Sequence, residues 1–463
     1  MDEENNNKRE YLTPREQQMA GANLRKLVLT YSIPTVIGML VSALYVVVDR
    51  FFVAQIPGIG DDALAGITLA SPVVLILGSV SLLIGVGSAA KISIRLGEGD
   101  RAGAERILGN CFTLNLICSI TLGIIALIFL EPILRAFGAS DATLPHAYTY
   151  TSIKLYGALF MYLSWSMNHP IRATGNAKRF ASAQLIGAIS NIFLNPLFIF
   201  TFDMGIAGAG WSTVLAQSLS AIWVMLYYFR GDPAIRIRLK NMVPHLKTIL
   251  TIFSVGVAPF FMQILGSAVA IIANRFLMQH GGDSAVAAFG AIAGVTALFV
   301  MPVFGIAQGS QPIIGFNYGA GDLGRVKTGY FWAAIYAVSI CVIGAILLMT
   351  FPRQIMGMFV EDPQALEIGA TGMRIMAWTL PVAAFQMNAS TFFMSIGKAK
   401  WSVLLSVMRQ GVFLIPLYFI LPQFMGVMGI WWSTPIADIT AFSVALLLIL
   451  RQMKQLGKTI KNA

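Results

Sequence analysis

Charge is what this chain has least of. Only 11% of its 463 residues are Asp, Glu, Lys or Arg, against about 25% in an ordinary soluble domain. So little charge cannot coat a water-facing globule. Histidine is also scarce: His146, His169, His245 and His280 are scattered over loops and span ends. The three cysteines, Cys111, Cys118 and Cys341, lie inside apolar stretches without paired spacing, which implies neither a disulfide framework nor a metal framework. Catalytic signatures are missing as well. There is no HExxH, no GxSxG, no GxxxxGK[ST] and no GxGxxG behind a strand. The expectation is a chain that is no enzyme, needs no cofactor and draws nothing from ATP. The polar first 26 residues hold no apolar signal-peptide core, so the first apolar segment is the expected insertion signal.

What is present is apolar sequence: 57% of residues are hydrophobic and mean hydropathy is +0.73. A membrane-spanning helix takes about 20 apolar residues. Twelve such segments occur, with cores near 28–53, 64–90, 107–130, 149–170, 181–202, 206–229, 248–278, 285–313, 329–351, 370–394, 401–421 and 427–450. They are too long and too continuous for membrane β-strands.

The net charge of +11 suggests nucleic acid only until the charges are placed. Lys and Arg gather in every second loop. They occupy the tail (Lys8, Arg9, Arg15, Arg25, Lys26), loop 2–3 (Lys91, Arg95, Arg101, Arg106) and loop 4–5 (Arg172, Lys178, Arg179). Loop 6–7, loop 8–9, loop 10–11 and the C-terminus continue the series, whereas Arg135 and Arg353 are exceptions on the other side. This is the positive-inside pattern. It predicts an even number of spans, cytoplasmic N- and C-termini, a lipid bilayer as partner and no nucleic acid.

The chain also repeats itself. An offset of 222 carries Gly97-Glu98-Gly99-Asp100 onto Gly319-Ala320-Gly321-Asp322, and Gly175 onto Gly397. An offset of 225 carries Pro34 onto Pro259 and Asp49 onto Asn274. The reading is an all-α integral membrane protein of twelve transmembrane helices in two six-helix repeats. With six spans each, both repeats enter from the same side and are therefore parallel. The expected organisation is a cytoplasmic tail 1–26, an N-lobe 27–230, a cytoplasmic linker 231–247, a C-lobe 248–451 and a cytoplasmic tail 452–463. Gly231 and Pro233 are expected to stop the sixth span. Two similar lobes that rock are a transporter's device. Without an ATP site, transport must run downhill or on an ion gradient.

Ionisable groups inside spans are costly and therefore candidates for function. Asp49 follows Val46-Val47-Val48 in the first span and has only Asn274 as its repeat mate. It is read as a carboxylate that binds a proton or sodium. Arg50 is its neighbour, but adjacent helical residues point about 100° apart, a poor geometry for pairing. Arg409 and Asp438, in the eleventh and twelfth spans, are read as a structural ion pair. Asn191 and Asn195 share a helix face at i,i+4, and Thr213 begins the sixth span. Their oxygens suit a hard cation, or hydrogen bonds between helices. Gln308 and Gln311 share a face of the eighth span and, with Asn274, are candidates to line a substrate cavity. Pro34 and Pro259 each interrupt a helical ladder and are candidate hinges. No metal site is expected beyond sodium at Asp49.

These residues carry a resemblance over about residues 25–450. The duplicated six-span lobe, Asp49, Ala63-Leu64-Ala65, Asn191-Ile192-Phe193-Leu194-Asn195-Pro196, Gly205-Ile206-Ala207-Gly208-Ala209 and Gly309-Ser310-Gln311-Pro312-Ile313-Ile314-Gly315-Phe316-Asn317-Tyr318 are similar to the multidrug and toxic compound extrusion (MATE) transporters, bacterial multidrug-pump branch. The resemblance implies alternating access in a cell (inner or plasma) membrane. It implies export of small amphipathic cations in exchange for protons or sodium, with a cation site at Asp49, Asn191 and Thr213. Asn195 stands where many relatives have Asp, which removes one negative charge and favours a proton over sodium. A monomer is the expectation. The alternative is a flippase for lipid-linked precursors, which should carry several Arg or Lys to pair phosphate.

Overall fold

A computed structural model describes residues 12–230 and 234–462; Lys8, Arg9, Gly231 and Pro233 lie outside them. Among the described residues every regular element is helical and no strand occurs. A short helix α1 (Pro14–Gly21) precedes the first three spans, α2 (Leu24–Ala54), α3 (Gly60–Gly97) and α4 (Arg101–Ile128). A connecting turn, α5 (Leu130–Ala136), leads to a fourth span built from pieces. These are α6 (Leu144–Tyr156), α7 (Ala158–Trp165) and α8 (Asn168–Ala173). The fifth span, α9 (Ala177–Pro196), runs on as a π-helical turn, Leu197–Thr201, and the sixth is α10 (Gly205–Arg230).

The second half begins with α11 (Leu246–Gly319), 74 residues in which two helices join end to end across a kink. At 1.5 Å per residue it would be about 110 Å long, more than three times a bilayer's hydrocarbon thickness of about 30 Å. It bends at Gly282, where φ is 62° and ψ is −160°. The expected loop between the seventh and eighth spans is thus one glycine in a conformation that L side chains avoid. The ninth span is α12 (Leu323–Thr350), followed by a short α13 (Pro352–Met356). The tenth is a bent pair, α14 (Pro363–Ala377) and α15 (Leu380–Ser395), angled at 51°. The eleventh is α16 (Ala399–Val407), a π-helical stretch Met408–Leu414 and α17 (Ile415–Met425). The twelfth is α18 (Val427–Asn462).

Among the described residues, nine helical runs are each long and apolar enough to cross a membrane, and the bent pair makes ten. The 74-residue helix supplies two spans where it was counted once, and α6–α8 supply the fourth. Twelve spans result. Bulky apolar side chains stay exposed along them, as on α4, where Ile117, Ile120, Ile124 and Ile128 face outward. In water such a row would be a liability; in lipid it is the ordinary outer surface of a span.

The duplicated glycine–aspartate motif has one structural role in both halves. Gly99 and Gly321 end a helix with φ of 77° and 80°. Asp100 and Asp322 then cap the next helix, accepting from Gly103 N at 2.8 Å and Arg325 N at 2.9 Å. Only glycine turns the chain this way cheaply, and a carboxylate satisfies donors that the new helix leaves open.

The chain forms two compact units, one of 1–19 and 37–260, the other of 20–36 and 261–463. These differ from the sequence halves in the opening stretch of each half. In the first unit a Cβ added at Gly87 of α3 would collide with the Ile252 carbonyl of α11, and one at Gly256 with the Leu83 carbonyl. In the second unit the repeat mate of Gly87, Gly309, sits against the Ser32 backbone of α2, and Gly305 against Val36. Small residues let these backbones touch, the usual way helices associate in lipid. Thus the opening stretch of each half packs on the second span of the other.

Candidate functional site

The first unit holds a polar network inside an apolar surround. Val53, Ile67, Tyr150, Ile199 and Ala209 form one buried cluster, and Asp49 lies one helical turn before Val53 on α2. Pro196 ends α9 without a backbone donor, and the ladder widens into the π-helical turn that follows. Asn191 and Asn195 sit just before that opening, one turn apart.

The network is continuous. Asn195 Nδ2 donates to Asp49 Oδ1 at 2.9 Å and to Asn191 Oδ1 at 3.1 Å. Asn191 Nδ2 in turn reaches Thr213 Oγ1 at 3.4 Å. Ser212 Oγ donates to Asn195 Oδ1, so both amide hydrogens and the oxygen of Asn195 are used. On the other side the Tyr150 hydroxyl donates to Asp49 Oδ2 at 3.3 Å, and Lys154 Nζ donates to that hydroxyl at 3.1 Å. Asp49, Tyr150, Asn191, Asn195, Ser212 and Thr213 are all buried, whereas Lys154 is half-buried. Three spans, the fourth, fifth and sixth, therefore aim donors, directly or through one intermediary, at a single carboxylate on the first. Such an arrangement can hold a charge in apolar surroundings and respond when that charge is neutralised.

The structure thus brings Asp49, Asn191, Asn195 and Thr213 together. Tyr150, Ser212 and Lys154 are additions. Lys154 was legible as a cation inside the fourth apolar stretch; Tyr150 and Ser212 carry no signal of their own. Thr213 does not begin the sixth span: α10 starts at Gly205, so Thr213 lies in its third turn. Arg172 is not a loop residue. It is fully buried in α8, its guanidinium 5.0 Å from the Phe180 ring centre.

In the second unit Arg409 Nε meets Asp438 Oδ1 at 2.7 Å, and Thr379 Oγ1 donates to Asp438 Oδ2 at 3.1 Å. Arg409 belongs to the π-helical stretch of the eleventh span. Gln311 is buried and Gln308 half-buried on the later part of α11, whereas Asn274 is exposed on its earlier part, beyond the Gly282 bend. Helix continues through Pro34 and through Pro259, and membership of the two units changes just after each, at Val36/Ile37 and Phe260/Phe261. Among the described residues no group of three His, Cys, Asp or Glu could hold a metal ion.

A duplicated, all-helical membrane protein that keeps hydrogen-bonded carboxylates inside its apolar spans is, by class, a transporter. The chain belongs to the MatE family, whose model matches residues 34–197 and again 259–420, once in each half. It is similar to the multidrug export protein MepA of Staphylococcus aureus strain MRSA252, with 25% identity over 427 residues, 92% of this chain and 93% of the relative. MepA of Staphylococcus saprophyticus is 24% identical over 420 residues, 90% of this chain and 92% of that protein. Among solved structures, an outward-facing multidrug resistance MATE family transporter of the MOP superfamily superposes with a TM-score of 0.90 at 26% identity, covering 96% of this chain and 99% of its own. A MOP superfamily transporter from Pyrococcus furiosus gives 0.89 at 26% identity, with the same 96% and 99% coverage.

Proposed function

We propose that this protein is a secondary active multidrug antiporter of the plasma membrane. It exports amphipathic cations in exchange for an inward ion by alternating access, and Asp49 is the group at which ion and substrate exchange. The observation that carries this reading is the run of donors ending on a lone buried carboxylate. A carboxylate so held is ionised at some cost and neutralised readily by either a proton or a cation. The relatives named for multidrug export support the substrate class.

The coupling ion in this reading is the proton. Sodium needs several oxygens converging on it. Asn195 instead turns its nitrogen to Asp49, and Lys154 already supplies positive charge through Tyr150. Asn191, Asn195 and Thr213 then hold the carboxylate rather than ligate sodium. Gln308, Gln311 and Asn274 serve substrate contact, Arg409 and Asp438 fix helix register, and Pro34 and Pro259 are the bending points. Both termini and the basic loops face the cytoplasm, and one chain suffices. A lipid-precursor flippase fits less well, because Lys154 is the only cation that the Asp49 network contains.

The test is purified protein in liposomes, with ethidium movement followed under a proton gradient alone and a sodium gradient alone. Movement driven by protons and indifferent to sodium is expected. Movement driven by sodium alone would replace the proton, and movement driven by neither would remove the antiport reading.

A further inference from the structure

We propose that the basic end of the third span carries a binding site for the phosphate headgroup of an anionic phospholipid. The first unit contains a cavity of about 880 Å³ there. One wall is the first two turns of α4, with Arg101, Glu105 and Arg106; the other is the segment before α11, with Arg236, Arg238 and Lys240. Two of the five cations are spent on protein carboxylates. Arg238 Nε lies 2.7 Å from Glu105 Oε2, and Arg101 lies 2.9 Å from Glu16. Arg106, Arg236 and Lys240 are exposed, and among the described residues no ion pair engages them.

The wall that carries these cations is fixed. Buried Asn110 donates to the Asn241 carbonyl at 3.1 Å and accepts from His245 N at 2.8 Å. Thr113 Oγ1 donates to the Met242 carbonyl at 2.6 Å. Three unspent positive groups therefore face a cavity whose backbone is already ordered, so a bound anion meets a prepared site. Guanidinium groups match phosphate oxygens in pairs.

Aliphatic side chains of the same segment identify a lipid as the source of that phosphate. Leu239, Val243 and Leu246 are 85%, 68% and 70% exposed, interleaved with Lys240 and the other cations. Large apolar groups beside cations at the end of a span suit the boundary where headgroup gives way to acyl chain. A water-soluble phosphate would have no use for them. This site is independent of the ion that couples transport.

The experiment counts phosphatidylglycerol retained by the purified full chain, by native mass spectrometry. Wild type is compared with Arg106→Gln/Arg236→Gln/Lys240→Gln. A control, Arg451→Gln/Lys454→Gln/Lys458→Gln, removes as many exposed charges from the C-terminal helix. The cavity variant is expected to lose lipid affinity at least tenfold and the control little. Lys240→Gln alone, which breaks no bond of the fold, should lose about fivefold. Equal losses in the cavity variant and the control would reduce the effect to diffuse attraction and overturn the site. So would unchanged retention in the cavity variant. Displacement of the lipid by millimolar glycerol 3-phosphate would show a site for free phosphate and overturn the lipid assignment.

Discussion

Asn195 turns its amide nitrogen, not its oxygen, toward Asp49, with Nδ2 standing 2.9 Å from the carboxylate. The opposite orientation would set oxygen against oxygen and lose the donation from Ser212. This contact joins spans that are 146 residues apart in sequence, and the proposed preference for a proton rests on it. A neutral donor beside a lone carboxylate stabilises its ionised form without adding an oxygen for a metal cation.

Asp49→Asn is expected to abolish gradient-driven efflux while the protein still folds and still binds dye. An amide can keep a hydrogen bond to Asn195 but cannot change charge during a cycle. Proteoliposomes with an imposed gradient provide the check, and full pumping by the variant would remove Asp49 from the coupling step.

Asn195→Asp places a second carboxylate against the first. Two acids that close do not both ionise unless a cation joins them. Efflux should become sodium-stimulated, and sodium should raise the melting temperature of the variant but not of wild type. A variant as indifferent to sodium as the parent would count against the proposed basis of proton preference.

Lys154→Met removes the positive charge held at Tyr150. Binding of a cationic dye should tighten about fivefold, on the order of 1 kcal/mol, because a competing cation next to the carboxylate is gone. Fluorescence polarisation on purified protein measures this. Weaker binding would mean that Lys154 positions Asp49 rather than competing with the substrate.

Arg409→Met leaves the buried Asp438 without its partner and should cost about 3–5 kcal/mol, whereas Asp438→Leu leaves a half-buried guanidinium and should cost less. The double variant should cost less than the sum. Thermal melts of the four proteins close the cycle, and strict additivity would show that the 2.7 Å contact contributes no coupling.

Much of the fold was legible because its causes are local. A run of apolar residues long enough to cross lipid marks a span wherever it occurs, and Lys and Arg in alternate loops mark the sides. The breaks within the fourth span and the Gly282 bend were less so. Gly157 subdivides one segment without a polar break, and a single glycine replaces a loop that hydropathy would draw wider. In the site, the acid in an apolar run and the i,i+4 pair Asn191 and Asn195 were visible for the same local reason. Tyr150 and Ser212 look like any other residues of apolar helices, and Arg172 looked like a loop cation until packing buried it.

By itself, the sequence determined that this is a twelve-span membrane protein made of two similar halves, with a carboxylate in its first span that needs an explanation. Hydropathy, charge placement and repetition are properties of the linear chain. Only the tertiary structure decided which way each helix is turned and whom it meets. It set Asn195 and Tyr150 on opposite sides of Asp49, brought Lys154 behind Tyr150, joined Arg409 to Asp438, and laid the opening stretch of each half against the other half's second span. Those outcomes depend on packing between helices distant in sequence. The rotation and partner of a span in lipid are set by close contacts such as those at Gly87 and Gly309, and not by its hydrophobicity.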